Sequence, residues 1–160
     1  MKRICLLLSA VVWISACSGG GADGAADGNA ARSGAIALPS GELTELTVID
    51  VVVGDGPAVQ NGDTAIVHYT GWLYDPAAGN RRGAQFDSSR GGEPFTFQPG
   101  ARRVIRGWEE GVPGMRVGGR RLLFIPAEYG YGERGTPDGT IPPNAGLVFD
   151  VELVNVIPLP

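Results

Sequence analysis

The chain has 160 residues, of which 43% are hydrophobic and 19% charged, a balance typical of a folded globular domain rather than a disordered segment. Its 26 glycines and 12 prolines are too many for a helix bundle. The formal net charge is −4, which indicates no basic surface for nucleic acid.

The first 17 residues have the pattern of a secretory leader. Lys2 and Arg3 precede an apolar run at 4–13, which is too short to span a bilayer as a stable helix. The closing residues, Ile-Ser-Ala-Cys, resemble the bacterial lipobox. That resemblance implies that the peptide is cut before Cys17 and that the Cys17 sulfur carries lipid. The alternative is an ordinary signal peptide in which Cys17 is incidental.

The segment that follows, 18–34, contains neither an aromatic nor a β-branched residue and has no heptad pattern. We therefore predict a leader at 1–16, the lipidated cysteine with a flexible tether at 17–40, and one monomeric domain at 41–160. Several acyl chains anchor a protein stably, since each buried methylene contributes about 0.8 kcal/mol. Ser18 stands where inner-membrane lipoproteins often carry Asp, a resemblance that favours the periplasmic face of an outer membrane.

The domain is predicted to be α+β, with about five antiparallel strands and one short helix on the apolar face of the sheet. The predicted strands are 47–53, 64–74, 95–97, 120–125 and 147–154. In the last strand apolar residues alternate with Val148 and Asp150, so only one of its faces is predicted to be buried. The predicted helix has Val104, Trp108 and Val112 at a spacing of four and ends near Gly111.

Few reactive side chains are present. The cysteines are Cys5 and Cys17, and the one histidine, His68, is predicted to be structural or solvated. A domain without cysteine has no thiol nucleophile and no disulfide, and a single histidine argues against zinc. We therefore predict neither a metal nor a cofactor.

Six short strings then point to one family. They are 67–71 (VHYTG), 86–89 (FDSS), 104–111 (VIRGWEEG), 129–132 (YGYG), 141–144 (IPPN) and 147–153 (LVFDVEL). Together they resemble the FKBP-type peptidyl-prolyl isomerases, in family order and with near-family spacing over about residues 46–156. VHYTG alone would be weak, but six ordered strings are specific. The resemblance implies an FKBP-like fold, in which the sheet wraps around the short helix.

By the same resemblance, an apolar hollow between sheet and helix accelerates rotation about Xaa-Pro bonds, with Trp108 as its floor. The residues implied in catalysis are Tyr69, Asp87, Phe95, Ile105, Trp108, Tyr131 and Phe149. The residues implied in substrate contact are Phe86, Val104 and Ile141. The implied partners are proline-containing polypeptides and macrolides such as tacrolimus. Asp87 is expected to accept a hydrogen bond from Tyr69.

Departures from the family fall around the rim. The stretch between Asp87 and Pro94 is one residue shorter than in the small human members, so Arg90 is only a candidate partner for Asp87. A longer hairpin loop is predicted before Phe86. Six further arginines are expected on solvated faces: Arg102, Arg103, Arg106, Arg116, Arg120 and Arg121. Two alternatives stay open: a module that binds proline segments with little turnover, and a structural surface lipoprotein that does neither.

Overall fold

The structure is a computed structural model that describes residues 37–159. The predicted leader, the predicted lipidation site Cys17 and the predicted tether up to residue 36 lie outside the described residues. Within the described part there are six strands, one α-helix and two short 3-10 turns. They are β1 (Thr47–Val52), β2 (Thr64–Tyr74), β3 (Arg82–Ser88), β4 (Phe95–Phe97), α1 (Arg106–Gly111), β5 (Arg120–Ile125), the turns Ala127–Tyr129 and Gly132–Arg134, and β6 (Leu147–Ile157).

All strand pairs are antiparallel, which confirms the predicted α+β class. The strand order is β1-β5-β6-β2-β3. Strand β4 pairs with the first half of β2, whereas β3 pairs with its second half. The two longest strands, β2 and β6, pair in the middle of the sheet, with Tyr69 opposite Val151 and Gly71 opposite Phe149. These central strands therefore present the residues of the VHYTG and LVFDVEL strings side by side.

Strand β3 adds a sixth strand to the about five predicted, in a segment for which no strand is predicted from the sequence. Its sequence, RGAQFDS, has no apolar alternation, and of its residues Phe86 is the one packed against the main core. Backbone pairing to β2 defines the strand instead, with Thr70 opposite Ser88, Gly71 opposite Asp87 and two irregularities in register. Such a strand carries almost no hydrophobic signal in its sequence.

The helix begins later than predicted. Ile105 has an extended backbone (φ −61°, ψ 150°) and is the N-cap, so α1 contains six residues. Two of these, Gly107 and Gly111, let the helix lie close to β5: a Cβ on Gly107 would be 2.6 Å from Ile125. Such a short, glycine-containing helix is unstable alone and is held by packing. No helix in residues 37–159 is long and apolar enough to span a membrane.

The sheet is buried on both sides in its central part. We call the side covered by α1 the inner face and the other side the outer face. The inner core includes Val67, Trp108, Phe149 and Leu153, while Leu122, Phe124 and Val148 form a smaller outer cluster. The prediction that only one face of the last strand is buried is therefore wrong for its first half. There Val148 is fully buried and Asp150 is 2% exposed.

The domain begins slightly before residue 41. The hydroxyl of Tyr74 donates to the carbonyl oxygen of Gly41 at 2.8 Å, and Nε of Arg81 donates to that of Pro39 at 2.8 Å. Leu38 and Leu43 also pack against the outer cluster. The segment 38–43 is thus part of the folded domain, and the predicted boundary moves to about residue 38.

Candidate functional site

A cavity of about 420 Å³ opens between the inner face and α1. Its lining consists of Tyr69, Phe86, Asp87, Phe95, Arg102, Arg103, Val104, Ile105, Trp108, Tyr131 and Phe149. Every site residue predicted within the domain is in this set except Ile141. The structure therefore gathers residues from β2, β3, β4, α1, β6 and the loops around one hollow.

The floor of the cavity is an aromatic cluster centred on Trp108, whose side chain is 4% exposed. Its ring centroid lies 5.1 Å from that of Tyr69 and 5.3 Å from those of Phe97 and Phe149, with interplanar angles between 64° and 88°. Edge-to-face pairs of this kind contribute about 0.5–1.5 kcal/mol each beyond their buried area. The floor is therefore a preorganised apolar surface.

Gly71 makes room for one wall of the cavity. A Cβ at this position would come within 2.7 Å of the Phe86 ring and 2.8 Å of the Phe149 ring. Those two rings pack edge to face with centroids 5.5 Å apart, directly across β2. The glycine of the VHYTG string is thus required by the close approach of two cavity rings.

The predicted hydrogen bond between Tyr69 and Asp87 is present. The Tyr69 hydroxyl donates to Oδ2 of Asp87 at 2.5 Å, and Oδ1 accepts the N–H of Ser88 at 2.8 Å. Burial raises the pKa of Tyr69 well above its usual value, and the Asp87 carboxylate raises it further. Burial and Asp87 also raise the pKa of Tyr131 at the rim. Both hydroxyls therefore stay protonated as donors at neutral pH.

Two donors at the cavity have no protein acceptor in the described part of the chain. The Ile105 carbonyl accepts from the N–H of Trp108 at 2.9 Å, but the N–H of Ile105 itself donates to no described residue. The indole Nε1 of Trp108 is buried and also without a partner. The Ile105 N–H, on a half-buried residue that lines the open cavity, is suited to a ligand carbonyl, whereas the buried indole N–H is not exposed to the cavity.

Four positions near the rim need comment. Ile141 is 3% exposed and packed in the inner core behind the cavity wall, where its N–H donates to Oγ1 of Thr136. Arg90 does not pair with Asp87, because its guanidinium reaches outward to Glu152 at 2.9 Å. Arg102 and Arg103 are exposed as predicted but also line the cavity. Their position in the chain, directly before the predicted cavity residues Val104 and Ile105, could have indicated that they line the cavity.

The outer face holds a different polar arrangement, centred on Asp150. Its carboxylate accepts two hydrogen bonds from Arg120, at 2.7 and 2.6 Å, and one from Arg82 at 3.1 Å. Burial opposes its ionisation, but the bonds and charges of these arginines outweigh burial and lower the pKa of Asp150. The Arg82 guanidinium also lies 4.3 Å from the centre of the Trp72 ring. Arg120 is therefore exposed, as predicted, and also forms an ion pair with the buried Asp150.

Comparison with known proteins agrees with this geometry. A family model described as "FKBP-type peptidyl-prolyl cis-trans isomerase" matches residues 56–154. The chain is 51% identical over 102 residues to FK506-binding protein 1B of Neurospora crassa, covering 64% of this chain and 89% of that protein. It is 46% identical over 121 residues to an FK506-binding protein of Streptomyces anulatus, covering 74% and 93%. The crystal structure of FkpA from Escherichia coli superposes with a TM-score of 0.61 at 44% identity, covering 73% of this chain and 50% of that one.

Proposed function

The chain belongs to the FKBP-type peptidyl-prolyl cis-trans isomerases and accelerates rotation about Xaa-Pro bonds, and from this premise we propose that it acts as a lipid-anchored folding catalyst of the cell envelope. Its proposed substrates are newly secreted chains. Rotation about X-Pro bonds takes tens to hundreds of seconds without a catalyst and can limit folding.

The aromatic cavity carries the mechanism. Rotation breaks amide resonance and has a barrier of about 18–20 kcal/mol. The twisted amide has less dipolar character than the planar one, so a dry apolar site binds it preferentially, which is the requirement for acceleration. In the proposed complex the proline ring packs on Trp108, between Tyr69 and Phe149. No proton transfer and no covalent intermediate is involved.

A donor at the wall would hold the substrate while the amide turns. The N–H of Ile105 is suited to this role because no described residue accepts it. The Tyr131 hydroxyl, on a side chain that is 40% exposed at the rim, is the second donor. Tyr69 is already committed to Asp87, so we propose that this pair shapes the cavity and orients the ring instead.

The role of the Tyr69–Asp87 pair in turnover is tested with the full-length chain and a Leu-Pro peptide. We expect the parent to accelerate cis-trans exchange, measured by NMR, and Asp87→Ala to lower kcat/KM severalfold while the circular dichroism spectrum stays folded. Asp55→Ala, at an exposed position outside the cavity, is the matched control and should behave like the parent. Equal kcat/KM for Asp87→Ala and the parent would refute the proposed role.

Macrolide binding separates the isomerase from the module that binds without turnover. The relatives compared above are named for binding FK506, which is tacrolimus, and we propose that this cavity takes the same class of ligand. We expect stoichiometric tacrolimus to abolish the acceleration. Binding of the drug without any acceleration would favour the binding module. Neither binding nor turnover would favour the structural lipoprotein.

Anchoring through Cys17 is proposed from the lipobox-like sequence and the tether that follows it. We expect Cys17 to incorporate labelled palmitate and the protein to sediment with outer-membrane vesicles in a density gradient. Cys17→Ser should lose both properties, whereas Cys5→Ser should keep them, because Cys5 lies in the removed leader. Label retained in Cys17→Ser would overturn the proposed anchor and leave the isomerase activity unaffected.

A further inference from the structure

Two arginines border the cavity at the point where the chain enters α1. Arg102 and Arg103 are both exposed, and both line the cavity beside Val104 and Ile105. Arg102 has a φ of 56°, in the left-handed region that non-glycine residues rarely adopt. Its position therefore depends on the surrounding loop, which fixes the guanidinium-bearing residue at the edge of the substrate site.

The acidic groups of this region are already engaged elsewhere. Asp87 accepts from Tyr69, and the Glu110 carboxylate accepts from Nε of Arg106 at 2.6 Å. The Glu109 carboxylate accepts backbone N–H groups of Gly100 and Arg103. In residues 37–159 neither the Arg102 nor the Arg103 guanidinium has a hydrogen-bond or ion-pair partner. Positive charge is thus available at the cavity edge of a chain whose net charge is −4.

A second depression extends the cavity in the same direction. It measures about 420 Å³, shares Arg102 and Val104 with the cavity, and continues along Arg106, Glu109 and Glu110. A peptide whose proline occupies the cavity and whose chain leaves along this path passes directly by Arg102. The substrate residue next to the Xaa-Pro pair then lies near these arginines, and its charge determines whether the contact is attractive, neutral or repulsive.

We propose that Arg102 and Arg103 select substrates that carry an acidic residue within one or two positions of the Xaa-Pro bond. This inference rests on the isomerase function of the same cavity. Both guanidinium groups are exposed, so the attraction is modest and is screened by salt. We expect a preference of about three- to tenfold for an acidic over a basic neighbour at low salt, the upper end requiring both arginines to contribute.

The test compares two peptide series by NMR exchange, which avoids a helper protease with its own charge preference. In the first series the residue before Leu-Pro-Phe is Glu, Gln or Lys. In the second, Ala precedes Leu-Pro-Phe and the same three residues follow it. With the full-length chain, we expect kcat/KM to fall in the order Glu, Gln, Lys in at least one series. The difference should narrow between about 20 mM and about 0.5 M NaCl, where the Debye length falls below about 5 Å.

Charge reversal assigns the preference to these residues. Arg102→Glu and Arg103→Glu should each reduce or invert the ratio of kcat/KM between the Glu and Lys peptides. Arg116→Glu, with the same charge change at an exposed site away from the cavity, should keep the parent ratio. Equal kcat/KM for Glu and Lys peptides in both series, or a ratio that Arg116→Glu changes as much, would overturn this inference and leave the isomerase function intact. No acceleration of any peptide would overturn both.

Discussion

The two faces of the central strands differ in what they leave unpaired. On β6, Phe149 points to the inner face and contributes to an open cavity, while its neighbour Asp150 points to the outer face and is saturated by arginine hydrogen bonds. The inner face keeps two donors, the Ile105 N–H and the Trp108 indole, without a partner in the described part of the chain. Empty volume together with an available donor, the Ile105 N–H, marks the inner face as the binding face, and the outer face as its support.

The largest expected effect is on the outer face. Asp150→Asn weakens three charge-assisted hydrogen bonds at a buried carboxylate, so we expect the free energy of unfolding to fall by about 2–3 kcal/mol in denaturant titrations. The folded fraction should keep the parent kcat/KM, because the Asp150 side chain lies on the opposite face of the sheet from the cavity. Asp50→Asn, an exposed carboxylate paired with Arg121, should cost less than about 1 kcal/mol. A loss of kcat/KM in folded Asp150→Asn would show that the faces are not separate.

A substitution between the two cavity rings should affect both stability and turnover. In Gly71→Ala the new methyl group pushes Phe86 and Phe149 into the cavity, at a cost of about 1–3 kcal/mol. We expect kcat/KM to fall severalfold in the same variant. Gly79→Ala is the control, since a Cβ there meets no described atom within 4 Å. Unchanged turnover in Gly71→Ala would contradict the steric role assigned to this glycine.

Two tyrosines, one on each face, give a matched pair. Tyr69→Phe and Tyr74→Phe each remove a hydroxyl with hydrogen bonds, and each should cost about 1 kcal/mol of stability. Only Tyr69→Phe should lower kcat/KM, by severalfold, because its hydroxyl holds Asp87 at the cavity. If Tyr74→Phe lowers kcat/KM equally, turnover depends on general rigidity rather than on the inner face.

The smallest effect concerns pH. Because the folded pKa of Asp150 lies below the unfolded value of about 3.9, its ionisation stabilises the domain fully above about pH 5 and less as pH falls through the folded pKa. The stability difference between parent and Asp150→Asn should therefore be constant from about pH 5 to 7 and shrink below about pH 4. A difference that grows on acidification would reverse the proposed sign.

The sequence predicts the elements that carry a hydrophobic period. Strands β2, β5 and β6 and the helix around Trp108 were predicted close to their observed positions, because each has a run or a periodic set of apolar residues in its sequence. Strand β3 was missed, since backbone pairing defines it and its sequence has no such period. Asp150 was predicted to be exposed. Its burial depends on ion pairs with arginines of β3 and β5, which lie far from it in the sequence.

The cavity lining was predicted through resemblance more than through pattern. Trp108 and Phe149 would be core residues in many small α+β domains, and only the ordered strings pointed to a hollow between them. Ile141 matches its string but is buried in the inner core and does not line the cavity, a distinction that a motif does not encode. The role of Arg102 at the cavity depends on a positive φ, which no residue pattern in this loop indicates.

The most direct test uses the two tryptophans of the described domain, one on each face of the sheet. Trp108 forms the cavity floor, and Trp72 lies on the outer face against Arg82. We would titrate the full-length chain with a Leu-Pro peptide and record both indole N–H resonances together with the exchange rate of the peptide. We expect the Trp108 signal to shift with the accelerated exchange while the Trp72 signal stays in place. Accelerated exchange with a shifted Trp72 signal and an unchanged Trp108 signal would contradict the assignment of the inner face as the binding face.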